Sequence, residues 1–248
     1  MTYILHRSIA AKLPVAVAGD GPYIVDSEGK RYLDASGGAA VSCLGHSHKA
    51  VVEAIKAQLD KLPYAHTSFF TNEPSERLAE HLISRARLTI PDCRLGKVYF
   101  LSGGSEANET AMKLARQYFF EKGEKQRQFF ISRNQSYHGN TLGALGVGGN
   151  PGRREVFEPL LKETRHVSPC FAYRGRQDGE SEEAYGERLA QELEAAIQEL
   201  GPDKVIGFFA ETVVGATLGC VPPASAHFKR VRKSGDHSGA VPGCDEGS

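Results

Sequence analysis

The chain has 248 residues, enough for one large domain or two modest ones, and 40% of them are hydrophobic, so a sizeable core is within reach. Lys plus Arg and Asp plus Glu number 30 each, and this balance excludes the one-signed footprint of a nucleic-acid or anionic-membrane binder. Cys43, Cys93, Cys170, Cys220 and Cys244 are scattered, odd in number and without a Cys-x-x-Cys pair, which points away from a disulfide framework or zinc knuckle and towards reduced thiols. The first stretch is broken by His6, Arg7, Lys12 and Pro14, unlike the apolar run of a signal peptide, and no segment is long and apolar enough to span a bilayer. The expectation is a soluble cytoplasmic protein.

In chain order, "YIVDSEGKRYLD" (23–34) places two short apolar runs around a polar turn and reads as a β-hairpin. "HKAVVEAIKAQLDKL" follows, with Val51, Val52, Ile55, Leu59 and Leu62 on one helical face. "EPSERLAEHLISRAR" is a second amphipathic helix, with Pro74 near its start, where a missing N–H costs little. The rhythm then becomes strand, loop, helix. "KVYFL" (97–101), "RQFFIS" (127–132) and "KVIGFFA" (204–210) are short apolar strands. Between them lie a helix over 106–122 closed by Gly123, a small-residue helix beginning near Thr141, and a helix carrying Tyr185, Leu189, Leu193, Ile197 and Leu200 that stops at Gly201-Pro202. "YRGRQDGESEEAY" is the best candidate for an exposed loop. The alternation implies an α/β fold with a mostly parallel sheet, preceded by a hairpin-and-helix segment.

Ligands of such sheets sit beyond the carboxyl ends of the strands. Three strand ends carry suitable groups. After 97–101 comes "SGGSEANET", where Gly103 and Gly104 let the backbone close round a small anion and Ser105 adds a hydroxyl at a helix start; a phosphate cradle and an ordinary glycine turn capped by Ser105 are both open readings. After 127–132 comes "NQSYHGNT", with the flat ring of Tyr137 and the titratable His138, or simply a turn with one exposed aromatic and one hydrogen-bonded histidine. Glu211 ends the strand at 204–210, where a carboxylate is costly unless it has a partner or faces a cleft. "CLGHSH" offers Cys43, His46 and His48, but no second ligand cluster accompanies them, so no metal is expected and His48 reads as the start of a helix. "GALGVGG" (143–149) is a weak dinucleotide loop, because it follows a loop rather than a strand.

Taken in order, "YIVDSEGKRYLDASGGAAVSCLGHSHKAVVEAI", "SGGSEANETAMKLAR", "QSYHGNTLGALGVGG" and "AETVVGA" resemble the class-III (omega) aminotransferases, fold-type I enzymes that depend on pyridoxal phosphate. The likeness covers about residues 15 to 230, roughly the first half of such an enzyme; Lys49 stands where the family usually has proline. The resemblance implies that Gly104 and Ser105 bind the cofactor phosphate. It implies that Tyr137 stacks on the pyridine ring with His138 beside it, and that Glu211 helps orient the group that binds the ring. It also implies that "GGAAVSCLGH" lines the substrate side across a homodimer interface. Its substrates would be an amine or amino acid and a 2-oxo acid. The segments it implies are 1–65 (part of the small domain and the dimer and substrate side), 66–228 (a partial cofactor-binding domain) and 229–248 (an aberrant or truncated tail).

Counting without gaps, the ring-nitrogen carboxylate of the family falls on Asp245, but "AVPGC" before it is a poor strand, since Pro242 removes a ladder donor and Gly243 weakens the rest. The family's Schiff-base lysine would lie beyond Ser248, and none of the lysines here stands in a matching context. The expectation is an aminotransferase by descent that is inactive as this chain. The alternatives are a non-catalytic cofactor binder or dimer partner and, more weakly, a nucleotide-binding oxidoreductase. Apolar surface awaiting absent strands would be left exposed.

Overall fold

A computed structural model describes residues 3–90, 93, 95–225, 227–238 and 241–242. These form two compact units, Met1–Val98 and Tyr99–Ser248. The sequence-based boundary at 65/66 lies inside the first unit, between its two long helices.

The first unit opens with a three-stranded antiparallel sheet of β1 (Ala16–Asp20), β2 (Tyr23–Asp26) and β3 (Arg31–Leu33). The expected hairpin is β2–β3. Its turn closes because Asp26 accepts the N–H groups of Glu28 and Lys30, each at 2.9 Å, and the Tyr32 hydroxyl at 2.8 Å, while Gly29 takes a φ of 83°. The Tyr32 hydroxyl, more than the backbone donors, holds the Asp26 carboxyl below its ordinary pKa. Strand β1 carries no sequence signal, since "AVAGD" has one β-branched residue among small ones, yet it pairs with β2 from Ala16↔Asp26 to Asp20↔Tyr23. A short turn of helix, α1 (Gly37–Ala40), leads to α2 (Lys49–Lys61), which begins after His48 as expected, and to α3 (Glu73–Thr89). Asn72 caps α3 by accepting the Ser75 N–H at 3.0 Å, with proline in the first turn.

The second unit is the α/β body. Helix α4 (Gly104–Glu121) leads to β4 (Phe129–Arg133). The short helices α5 (Leu142–Val147) and α6 (Pro151–Arg154) and a 3₁₀ turn (Glu155–Leu160) precede β5 (Arg165–Val167). Next come α7 (Ala172–Gly175), α8 (Glu182–Leu200), β6 (Val205–Phe209), α9 (His227–Ser238) and β7 (Val241–Pro242). The sheet order is β5-β4-β6-β7, parallel throughout. Its core joins Ile131, Val167, Val205 and Phe208 of the sheet to Leu193, Ala196 and Ile197 of α8 and Val231 of α9. Helix α8 starts at Ser181, which accepts the Ala184 N–H at 3.1 Å, and ends at Gly201 with a φ of 94°.

Three sequence expectations change. "KVYFL" (97–101) is not a strand: no strand among the described residues pairs with it, and Tyr99, Phe100 and Leu101 are exposed. An apolar run without a hydrogen-bonding neighbour has nothing to hold it extended. "AVPGC" does contribute a strand, of two residues, with Gly207↔Val241 and Phe208↔Pro242 in register. It is the last strand of the described sheet, where donors are needed towards one neighbour only, so proline is tolerated. The loop expected over 173–185 is shorter, because α7 and the start of α8 occupy its two ends.

Candidate active site

The site is built at the carboxyl ends of β4 and β6, within the second unit. Gly103 enters α4 in an extended conformation, and Gly104 is the first helical residue. A Cβ at either glycine would meet nothing within 4 Å, so open space lies over the first turn of α4, where helical N–H groups lack intrahelical acceptors. The Ser105 hydroxyl accepts the Asn140 N–H at 3.1 Å and donates to Asn140 Oδ1 at 3.2 Å. Gly139 makes this approach possible: its φ is 129°, and a Cβ there would lie 2.9 Å from the Ser105 Cα. Asn108 donates to the His138 carbonyl at 2.6 Å, and Glu109 accepts the Thr141 hydroxyl at 2.5 Å and the Ala144 N–H at 3.1 Å. Ser105, Asn108 and Glu109 thus share one face of α4 and hold the 137–141 loop against it.

Tyr137 is 38% exposed, and the Arg153 guanidinium lies 4.7 Å from the centre of its ring, a cation–π contact on that ring. His138 turns the other way. It is buried, its Nε2 is 3.2 Å from the Ser132 hydroxyl, and its ring meets Phe209 edge-on at 5.7 Å. Burial pushes its pKa below the ordinary imidazole value; Glu211 opposes the shift and Arg133 adds to it. This histidine packs the loop from within rather than standing beside the tyrosine's exposed face. Glu211 lies two residues past β6. Its Oε1 accepts the Tyr137 N–H at 2.7 Å, and its Oε2 is 3.2 Å from Arg133 Nη2, which also donates to the Glu211 carbonyl at 2.5 Å. Asp245 lies outside the described residues.

Of the residues singled out from sequence, Gly104, Ser105, Tyr137, His138 and Glu211 are drawn together by the loop contacts just described. Arg133, Asn108, Glu109 and Asn140 were missed. Asn108 and Glu109 could have been found, because their spacing from Ser105 puts them on the same helical face. Arg133 gave no signal, since an arginine at a strand end reads as a solvated one. "GALGVGG" forms α5 and the turn after it, and a Cβ at Gly149 would overlap the Arg133 carbonyl. Gly149 thus serves close packing on the end of β4 and Gly143 a close approach to Glu109 of α4, so the dinucleotide reading is withdrawn.

His46 and His48 belong to the first unit and are not joined in a metal cluster; among the described residues no group of three or more potential ligands is found. His46 Nε2 instead lies 2.9 Å from Asp34 Oδ2, which also accepts the Ser42 hydroxyl at 2.6 Å. With Ser42 the largest influence, the Asp34 carboxyl is lowered to about 2.

A family model, aminotransferase class-III, matches residues 7–246, so the likeness reaches beyond the span of about 15–230 that the motifs imply. The chain is 45% identical over 245 residues to an uncharacterized aminotransferase of Schizosaccharomyces pombe, covering 98% of this chain and 52% of that protein. It is 37% identical over 230 residues to the uncharacterized aminotransferase YodT of Bacillus subtilis, covering 93% and 50%. Among solved structures it is similar to an omega transaminase from Pseudomonas jessenii in complex with PMP, with a TM-score of 0.87 and 31% identity, over 97% of this chain and 53% of that one. A structure of an omega-aminotransferase from Paracoccus denitrificans also matches, with a TM-score of 0.87 and 32% identity, over 97% and 54%. The chain spans about half the length of the curated relatives it matches. No helix among the described residues is long and apolar enough to cross a membrane. With a family match over nearly its whole length and this α/β architecture, the chain belongs to the class-III aminotransferases, on the fold-type I scaffold.

Proposed function

We propose that this polypeptide carries the phosphate- and ring-holding half of a pyridoxal-phosphate-dependent aminotransferase, which moves an amino group from an amine or amino acid to a 2-oxo acid. The observation that carries it is the convergence of Ser105, Tyr137 and Glu211 through the Ser105–Asn140, Asn108–His138 and Glu211–Tyr137 hydrogen bonds, beside the open first turn of α4. These residues fit the cofactor: the α4 turn offers N–H donors and space for a phosphate, and the half-exposed Tyr137 offers a ring face. When bound, the cofactor supplies an electron-withdrawing ring that drains charge from the substrate carbon. Gly104 and Ser105 would bind the phosphate, Tyr137 would cover the ring, and Glu211 would fix the tyrosine's backbone. Asp245 is the proposed ring-nitrogen partner.

The 248-residue chain by itself binds the cofactor without turnover. Lys122, Lys125, Lys162 and Lys204 precede β4, β5 and β6, at the strand ends opposite the site. Lys162 Nζ, for example, donates to the Gln128 carbonyl at 3.2 Å. The exposed apolar faces of α2 and α3 favour a second reading beside it, pairing with another copy or with a longer relative in the cytoplasm as a dimer. The test is to incubate the purified chain with pyridoxal phosphate, assay one portion for transamination, and treat a second portion with borohydride before dialysis. Dialysable cofactor and no transamination are expected. Turnover by the untreated portion, with cofactor fixed by borohydride in the other, would overturn the inactivity, and no cofactor retention before dialysis would overturn the reading itself.

A further inference from the structure

Resting on that reading, we propose that Arg133 is a positioning residue of the site: its buried guanidinium clamps Glu211 so that the free carboxylate oxygen holds the backbone N–H of Tyr137. Arg133 is the last residue of β4 and is only 2% exposed. A cation taken out of water to that degree is costly unless it is paired and hydrogen-bonded. The pairing is two-point: Nη2 donates to the Glu211 carbonyl at 2.5 Å and approaches Oε2 at 3.2 Å. With Oε2 held, Oε1 is aimed at the Tyr137 N–H, 2.7 Å away. The contact runs from the end of one strand to the residues past its neighbour, since Ser132 and Phe209 are in register.

The backbone between Arg133 and Tyr137 is shaped to suit. The Arg133 carbonyl accepts the Ser136 hydroxyl at 2.7 Å, and that hydroxyl accepts the Gly149 N–H at 3.0 Å. Gln135 sits at a φ of 61°, a left-handed conformation that a non-glycine residue keeps only when its surroundings hold it there. The Gln135 carbonyl is engaged by the Thr217 hydroxyl, and its side-chain oxygen accepts from Asn150 at 2.8 Å. Arg133 Nε is buried and has no hydrogen-bond partner among the described residues. An arginine serving only to fill this space would be replaced at lower cost by an apolar residue of similar volume. Both contacts come from Nη2 at the far end of the guanidinium, and a lysine ammonium on its shorter stem stops short of that position. The positive charge also contributes to holding His138 and His227 below the ordinary imidazole pKa, which provides a reporter independent of cofactor.

The experiment uses the 248-residue chain, with Arg133→Met and Arg133→Lys variants. Three quantities are read: the Tyr137 amide resonance, the imidazole titrations of His138 and His227, and binding of pyridoxal phosphate compared with inorganic phosphate. For Arg133→Met we expect a displaced Tyr137 amide, both histidine titrations moved upward, and pyridoxal phosphate binding weakened at least about tenfold, the loss of one charge-assisted hydrogen bond. Phosphate binding, which depends on the α4 turn, should change less than about twofold. Arg133→Lys should restore the histidine titrations but neither the Tyr137 amide nor the cofactor affinity. A native Tyr137 amide in either variant overturns the proposal, as does pyridoxal phosphate binding within about twofold of the parent. Should the Met variant not fold, the Lys variant decides alone. Should the parent bind no cofactor, the proposed function fails while the Tyr137 amide still tests the clamp.

Discussion

Helices α2 and α8 carry the same kind of amphipathic stripe, yet only one of them is buried. Val51, Val52, Ile55, Leu59 and Leu62 of the first unit are 39–55% exposed, whereas Tyr185, Leu189, Leu193 and Ile197 of the second are 1–3% exposed. Periodicity defines a face; burial needs a partner to cover it. Helix α8 has that partner in β4, β5, β6 and α9. No residue of α2 or α3 is buried among the described residues, so their stability rests on local terms: a cap, a first-turn proline and exposed ion pairs such as Lys56–Glu53.

Substitutions should expose this difference most sharply in the core. Leu193→Ala, in the centre of α8, should cost about 2–5 kcal/mol in urea unfolding, the range for opening a cavity in a packed interior. A cost under about 1 kcal/mol would mean that the second unit is no better packed than the first.

His227 at the start of α9 gives the next effect. Burial first, and then the Arg133 charge, lower its pKa to about 4 from the usual imidazole value of 6.5. A base whose folded pKa is depressed contributes stability that is fully present above 6.5 and is lost as pH falls towards 4, here about 3 kcal/mol in all. Urea midpoints between pH 7 and pH 4 should fall more for the parent chain than for His227→Phe; parallel slopes would contradict the buried imidazole.

The caps offer a smaller and more even contrast. Ser181→Ala and Asn72→Ala each remove one side-chain acceptor from a helix start and should each cost about 1 kcal/mol. The first should shift the cooperative transition of the second unit. The second should register mainly as lost helical circular dichroism, because α3 has no buried side chain to couple it to a core. Smallest of all, Leu59→Ala should change stability by less than about 0.5 kcal/mol, as for other surface positions. A larger loss would show that the α2 face is covered in solution.

The parallel sheet was legible where apolar runs were continuous and found neighbours. "RQFFIS" and "KVIGFFA" became β4 and β6 and pair with each other. "KVYFL" looks just as much like a strand and is not one, because sequence shows an apolar run but not whether a partner strand is available to it. The opposite error concerns β1 and β7, where small residues or a proline hid strands that a neighbour's hydrogen bonds sustain. In the site, Ser105, Tyr137 and Glu211 were visible because each follows an apolar run and carries chemistry that such a position does not need for folding. Asn108 and Glu109 were half-visible, by helical spacing from Ser105. Arg133 was invisible, since its partner lies 78 residues away in sequence.

By itself, then, the sequence determined the α/β class, the helices and their apolar faces, the glycine at the start of α4 and the strand-end residues that carry chemistry. These follow from local stereochemistry and periodicity, which act over a few residues. Only the tertiary structure decided which apolar faces are covered, which runs become strands, and that a buried arginine at the end of β4 holds Glu211 and through it Tyr137. Such choices depend on which groups distant segments bring within hydrogen-bonding and packing distance, and a charged group can stay buried only where that meeting supplies its partners.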